Sequence, residues 1–494
     1  MLMKLKYNLY IFWAVIGLCC ISCSNKDDDH IPPAIQEPEK PAAPEIYNDL
    51  GFTPHVDGEP FNTYRGLVMA GYQGWFGAPG DGCPHSDHSN TAWYHYREND
   101  RFEPGVLRNS IDFWPDMSEY ETQYTPGKFI LPNGEKATVF SSYDESTVML
   151  HFKWMKDYGL DGVFMQRFVG EVINNPDGKA HFNKVLASAM KASNQYQRAI
   201  CVMYDLGGFM SDNTRNADAV LADAQEILDT YRLKDRNVQK YYLYENEKPL
   251  IVLWGVGFND NRPYNMNDVE QLMNGLKEKG FSIMLGVPTY WRERRNDAIP
   301  DAKLHDLIKM ADVIMPWFVG RYGKSDYSNF HNLIQQDIAW CKENNVAYAP
   351  LCFPGSSDRN MHPNNSINPR YGGQFLWDQM YFCIKSGAQM LYIAMFDEID
   401  EGTAIFKCLN ESDVPSNEAE DDYYVVYQNN SYRMTQSKVE VTGANEWCQL
   451  AKDLKVKFQG VEDGLPTDHY LWLTGQGRKM LRGEVPLKSS WPAR

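Results

Sequence analysis

Basic residues are scarce for a chain of this length. Across 494 residues, 48 Lys and Arg face 65 Asp and Glu, a formal net charge of −17. No Lys/Arg cluster breaks that balance, which excludes a nucleic-acid partner. Long apolar runs are missing beyond the extreme N-terminus, so a multi-span membrane protein is excluded as well. Cysteine is thin in the body. Of ten, Cys19, Cys20 and Cys23 lie near the start, and the seven at 83, 201, 341, 352, 383, 408 and 448 are odd in number and widely spaced. That is no disulfide framework, although a single bridge stays open. Cys201, Cys352 and Cys383 sit in apolar segments and read as buried thiols. Cys83, His85, His88 and His95 share a polar loop without a second zinc half-site. Gly207-Gly208 lacks the Lys and helix start of a phosphate loop, and no calcium loop occurs. No metal and no cofactor is expected.

Charged residues at 23% and hydrophobic ones at 43% are ordinary globular values. Aromatics are abundant, with 13 Trp, 30 Tyr and 23 Phe, more than a core requires. Residues 1–22 read as a signal peptide, with Lys4 and Lys6 ahead of the apolar stretch Leu9 to Ile21. Ser22 before Cys23 resembles a bacterial lipobox, which makes Cys23 the lipidated residue. The acidic run Asp27-Asp28-Asp29 resembles a surface-export tag. The expected location is the outer membrane, facing the cell surface with the periplasmic face as the alternative, and membrane contact is through the lipid anchor only. Pro-rich, charged residues up to 45 complete a linker over 23–45, so a folded body is expected over 46–494, C-terminal extension included.

Within the body, eight near-continuous apolar runs recur, as parallel strands buried on both faces require. They are Gly66–Trp75, Gly162–Phe168, Ala199–Leu206, Leu250–Val256, Phe281–Pro288, Val313–Val319, Ala347–Phe353 and Met390–Asp397. Amphipathic stripes lie between them, such as Val220, Ala224, Ile227, Leu228 and Tyr231. Eight alternations of strand and helix predict a (β/α)8 TIM barrel with long loops at the C-terminal face of the strands. Gly77 to Asp144 shows no clear helix and reads as an elaborate loop after the first strand. The tail holds the segments Tyr423–Tyr427 and Tyr470–Met480, with a helix expected around Glu446–Lys457, and is expected to pack against the barrel.

In such a barrel, chemistry sits at the C-terminal strand ends. Those ends deliver Tyr72, Gln73, Trp75, Gln166, Arg167, Tyr204, Asp205, Trp254, Tyr290, Trp291, Trp317 and Arg321. Flat rings stack on the C–H faces of sugars, while carboxylates, Arg and Gln bind hydroxyls. The eighth strand ends in four acids within five residues, Asp397, Glu398, Asp400 and Glu401, followed by Gly402-Thr403. Like charges that close drive their pKa values apart, the condition for one acid and one ionised partner in glycoside hydrolysis.

Phe396-Asp397-Glu398-Ile399-Asp400-Glu401-Gly402-Thr403 resembles the E-x-x-E-G-T signature of glycoside hydrolase family 99, the endo-α-mannosidases. Met69-Ala70-Gly71-Tyr72-Gln73-Gly74-Trp75-Phe76-Gly77 resembles the first-strand motif of that group, and Trp93-Tyr94-His95 its aromatic–His element. Family 71, the α-1,3-glucanases, has a similar barrel. The resemblance implies a retaining hydrolase of α-linked glycans that works through a 1,2-anhydro sugar. It implies Glu398 as the base on the sugar's 2-hydroxyl and Glu401 as the acid/base at the leaving oxygen. Tyr72, Gln73, Trp75, His95, Arg167, Asp205, Trp254, Trp291, Trp317 and Asp397 are the substrate-binding candidates. The family's Asn and Trp around the first Glu are Asp397 and Ile399 here. A different sugar (α-glucanase or xylosidase type) or a glycan-binding surface lipoprotein without catalysis are the alternatives.

Overall fold

A computed structural model describes residues 51–84, 92–212, 214–434, 439–441 and 456–494. The signal peptide, Cys23, the linker, His85, His88, Cys448 and most of the helix expected around 446–457 lie outside the described residues. In chain order the barrel elements begin with β1 (Val68–Tyr72), α1 (Glu145–Tyr158), β2 (Gly162–Phe168), α2 (Val169–Val172), α3 (Pro176–Tyr196), β3 (Ala199–Asp205) and α4 (Ala217–Thr230). Then come β4 (Tyr244–Glu245), β5 (Lys248–Trp254), α5 (Met266–Glu278), β6 (Ser282–Val287), α6 (Lys303–Met310), β7 (Val313–Pro316) and α7 (His331–Glu343). The round finishes with β8 (Ala347–Tyr348), β9 (Leu351–Cys352), α8 (Gln374–Lys385) and β10 (Leu391–Ile393).

The main sheet runs β8-β7-β6-β5-β3-β2-β1-β10-β9, and every pairing along it is parallel. β8 and β9 are two pieces of one segment, interrupted at Pro350, which has no N–H for a ladder. The first piece pairs with β7 and the second with β10, so this segment joins the two ends of the path and closes the ring. All eight expected strands are present, counting β8 and β9 as one. They read as continuous apolar runs because the lumen and the helices both bury them. The short β4, antiparallel to β5, has no counterpart in the sequence reading.

The helices start and stop where their chemistry dictates. Asn175 caps α3 by accepting the Gly178 N–H, with Pro176 at the first turn. Asn265 and Asp268 form a reciprocal capping box on α5. Gly159 ends α1 in the left-handed region, at φ 83°. On α4, Val220, Ala224, Ile227 and Leu228 are buried as the stripe requires.

Two additions frame the barrel. β11 (Tyr423–Tyr427), β12 (Asn430–Met434) and β13 (Val439–Val441) form an antiparallel sheet. Tyr423, Val425, Tyr427 and Met434 pack it onto Val106 and Leu107 of the long first loop. At the opposite end, α9 (His469–Leu481) lies against α1 and α8. From that helix Arg478 and the following Arg482 reach the buried Asp161 at 2.9 and 2.7 Å. Asp161 also accepts the Val68 N–H at the start of β1. Among the described residues, the loop from Gly77 to Asp144 contains the 3-10 turn Met117–Glu119 and no α-helix. It is anchored rather than loose: the N–H groups of Asp112 and Phe113 both donate to the Ile399 carbonyl, at 2.9 and 3.1 Å.

Candidate active site

The turn after β10 carries the four acids and folds back on itself. Thr403 and Ala404 N–H donate to the Glu398 carbonyl at 3.1 and 3.0 Å, and Met395 N–H donates to the Thr403 carbonyl. Gly402 has φ 65°, and a Cβ there would lie 2.7 Å from the Ser357 nitrogen, so only glycine fits. Ser357 N–H donates to the Glu401 carbonyl at 2.9 Å, and Arg370 donates to the Gly402 carbonyl at 2.8 Å. Asp112 holds the facing segment by accepting Ser357 Oγ and the N–H groups of Arg359 and Asn360. The long loop is therefore the scaffold of the acidic turn.

Each acid has its own setting. Asp397 is fully buried and accepts the N–H groups of Gln73 and Gly74 at 2.7 and 2.9 Å, which ties β1 to β10. Its role is to hold the turn, and no oxygen of it is offered to a ligand. Glu398 is 4% exposed; Gln73 Nε2 donates to one of its oxygens and Thr403 Oγ1 to the other. Asp400 lies 3.5 Å from His95 Nδ1 through one oxygen, and its other oxygen is buried without a partner. Glu401 alone of the four keeps partial exposure.

Burial pushes all four carboxyls up. Asp397 rises to about 7, and Glu398 to about 8 with the Asp400 charge adding to burial. Asp400 rises to about 8. Glu401 is raised well above the usual carboxylate range, by burial and then by the charges of Glu398, Asp400, Asp358 and Asp205. That disposes it to hold a proton beside an ionised neighbour.

Around this turn the structure gathers most of the predicted rim. Trp75 is sandwiched between His95, 3.9 Å away and nearly coplanar at 5°, and Phe168 at 5.1 Å. Across the mouth, Trp254 meets Trp317 edge to face at 5.2 Å. Asp205 is half-buried at the end of β3, raised by burial and held down in part by Arg262. Trp75, His95, Asp205, Trp254 and Trp317 all keep partial exposure.

Besides Asp397, predicted to bind substrate but held inside the turn, three predicted binding residues are not brought to the mouth. Tyr72 is fully buried under α1, its hydroxyl 2.8 Å from His151 Nδ1. Arg167 turns outward into a two-pronged ion pair with Asp223 of α4, at 2.5 and 2.7 Å. Trp291 is fully buried against Trp340 of α7. The first two follow from strand alternation. On β2, Phe164 stacks on Tyr392 of β10 inside the barrel, which sends Gln166 inward and Arg167 to the helix layer. A Cβ on Gly71 would strike Met395 and Tyr392, so β1 faces inward there and Tyr72 faces out.

Sequence reasoning named Gln166 at a strand end and Thr403 in the signature without giving either a role, and passed over Asp358 and Arg262. Thr403 sits in the signature and grips Glu398. Gln166 is buried with an unpartnered Oε1. Asp358 is close enough to Glu401 to raise it. Arg262 lies 5.4 Å above the Trp254 ring, with Nε on Asp260 at 3.0 Å, and nothing in its polar loop signals this. Cys83 does not join His95; its sulfur meets His181 Nδ1 at 3.4 Å. The six described cysteines are all buried, and Cys201, Cys341, Cys352, Cys383 and Cys408 are free thiols.

No family model and no curated protein matches the chain. Solved structures do. The GH99 endo-alpha-mannosidase from Bacteroides thetaiotaomicron aligns with a TM-score of 0.54 at 15% identity, over 85% of this chain and 98% of that one. The structure of that organism's GH99 endo-alpha-mannosidase in complex with BIS-TRIS-Propane aligns at 0.53 and 16%, over the same shares. The likeness establishes the fold, a TIM barrel of the kind these glycoside hydrolases have.

Proposed function

We propose that this protein is a retaining glycoside hydrolase of α-linked glycans, endo-α-mannosidase-like, with Glu401 as acid/base and Glu398 as base. The observation that carries the reading is the acidic turn on β10. One carboxyl there is gripped by two side-chain donors, and the other is partly open, with its neighbours' charges opposing its ionisation. In the first step Glu401 gives its proton to the glycosidic oxygen, and the bond from C1 to that oxygen breaks. Glu398 takes the proton of the sugar's 2-hydroxyl, whose oxygen attacks C1 to close a 1,2-anhydro ring. Its oxygens keep free lone pairs beyond those used by Gln73 and Thr403, so they can still accept that proton. In the second step Glu401, now ionised, removes a proton from water. The water oxygen attacks C1 as the C1–O2 bond of the anhydro ring breaks, and the protonated Glu398 returns its proton to O2. Two inversions at C1 give net retention. Trp75 with His95 on one side and Trp254 with Trp317 on the other supply stacking walls for sugar rings.

A second reading, a glycan-binding protein without turnover, is favoured by the enclosure of Glu398, 4% exposed with both oxygens engaged. The location we propose, a lipid-anchored outer-membrane protein facing the surface, rests on the N-terminal residues alone.

The test is digestion of a panel of α-mannans, α-glucans and host-type glycans. We expect oligosaccharide release that falls by about 10²- to 10⁴-fold in kcat with Glu401→Gln, the usual range for a lost acid/base. An α-glycosyl fluoride, whose leaving group needs no proton, should be far less affected by Glu401→Gln and still abolished by Glu398→Gln. Binding without release across the panel would favour the second reading. Full activity of either variant would overturn the assignment of roles.

A further inference from the structure

Eight acidic side chains are buried among the described residues, and they divide evenly. Asp161 faces Arg478 and Arg482, Asp223 faces Arg167, Glu245 faces Arg65, and Asp337 faces Arg292. The other four, Asp112, Asp397, Glu398 and Asp400, have no Lys or Arg against them among the described residues, and all four belong to the acidic turn or its support. Three of those four are held by hydrogen bonds. Asp112 takes three donors, Asp397 two backbone N–H groups, and Glu398 two side chains. Asp400 is the least supported. Its side chain is 4% exposed, one oxygen has no partner, and the carboxylate otherwise meets the backbone N–H groups of Asp400 and Glu401 and, at 3.5 Å, His95 Nδ1. A buried carboxylate so poorly supported is costly to ionise.

Its position gives that cost a use. Asp400 stands between Glu398 and Glu401 in sequence and on the same turn. We propose that Asp400 is a positioning residue that acts through Glu401: its uncompensated carboxyl opposes a second charge on the turn and so keeps the proton on Glu401. This rests on the glycosidase reading and assigns the regulation of its acid. The groups that bear on Asp400 come from two elements. The long loop brings His95, Asp112 and the buried Tyr96 hydroxyl, and its own turn brings Asp397, Glu398 and Glu401. His95 is the one group among these that could carry a positive charge, and it is pinned flat against Trp75.

As pH rises and Asp400 ionises, its charge disfavours ionisation of Glu401, which therefore stays protonated to higher pH. Asp400→Asn keeps the shape and removes that charge. The protonated-carboxyl stretching band of the full body, followed by infrared titration, reads this without any turnover. Glu401→Gln, run in parallel, identifies the component that belongs to Glu401. We expect that component to be lost about one pH unit lower in Asp400→Asn, the scale of a neighbouring-charge effect. Asp400→Ser should give the same displacement, and covers failure of the first variant to fold. On a cleaved glycan, the alkaline limb of kcat/KM should move down with it, while a merely structural role would lower kcat at all pH values. A Glu401 component that titrates unchanged in both variants would overturn the proposal, as would a shifted component with an unmoved alkaline limb. Failure of the wild type to cleave any glycan bears on the glycosidase reading, and the infrared arm still decides Asp400.

Discussion

Glu398, Asp400 and Asp397 share an uphill ionisation, and the whole protein should feel it. Their carboxyls sit at about 8, 8 and 7 when folded, against about 4 when exposed in the unfolded chain. Between those limits the folded state binds more protons than the unfolded one, so these groups make stability fall as pH rises. The buried His151 and the half-buried His55 pull the other way at the acid end. His151, wedged between the Tyr72 and Tyr120 hydroxyls, is pushed down to about 3, and His55 to about 4, both by burial. They cost stability below their ordinary value of 6.5 and nothing above it. The window from about 6.5 to about 8 therefore belongs to the carboxyls. Calorimetry should show the melting temperature falling across it, and Asp400→Asn should flatten that fall. A wild-type midpoint that rises or stays level over this window would contradict the burial argument.

At the level of elements, the turn between β10 and Thr403 is the most constrained segment of the site. Gly402→Ala must place a Cβ at φ 65° and against Ser357 backbone atoms at 2.7 and 2.8 Å. We expect a loss of about 2 kcal/mol in denaturant unfolding, the scale of one strained backbone position, together with lost activity as the turn shifts. A variant of unchanged stability would mean that the 356–360 segment gives way freely. The strands were legible in the sequence because burial on both faces leaves them no polar side. The acidic turn was legible because four acids cannot belong to an apolar strand. Which neighbour at a strand end faces the lumen was not legible. Gln166 and Arg167 are adjacent and both polar, and the alternation has a period of two without a visible phase when both faces are buried. Tyr72 and Arg167 were misplaced for that reason. Trp291 sits beyond β6 in a loop, where no periodicity applies. The supporting role of residues 77–144 was invisible too, since it depends on single backbone bonds from Asp112 and Phe113 to Ile399.

Across the whole molecule, the end of the barrel opposite the acidic turn is fastened by charge. Asp161 is fully buried and receives Arg478, Arg482 and the Val68 N–H together. Asp161→Asn leaves two guanidinium groups in that region without their carboxylate. A loss of about 3 to 5 kcal/mol is expected, as for a broken buried ion pair. Equilibrium unfolding in urea measures it, and a change under about 1 kcal/mol would mean that the arginines find water instead. Because the mouth is distant from this clasp, the pH dependence of turnover should survive the substitution.

The tie from Asp397 to Gln73 and Gly74 spans 324 and 323 positions in sequence, across the seam where the first and last strands of the ring meet. Gln73 reaches over the same seam to Glu398. The framed acidic turn therefore does not exist in any contiguous stretch of the polypeptide. It comes into being only when the circle shuts. Assembly of the turn and topological completion are one event in this architecture.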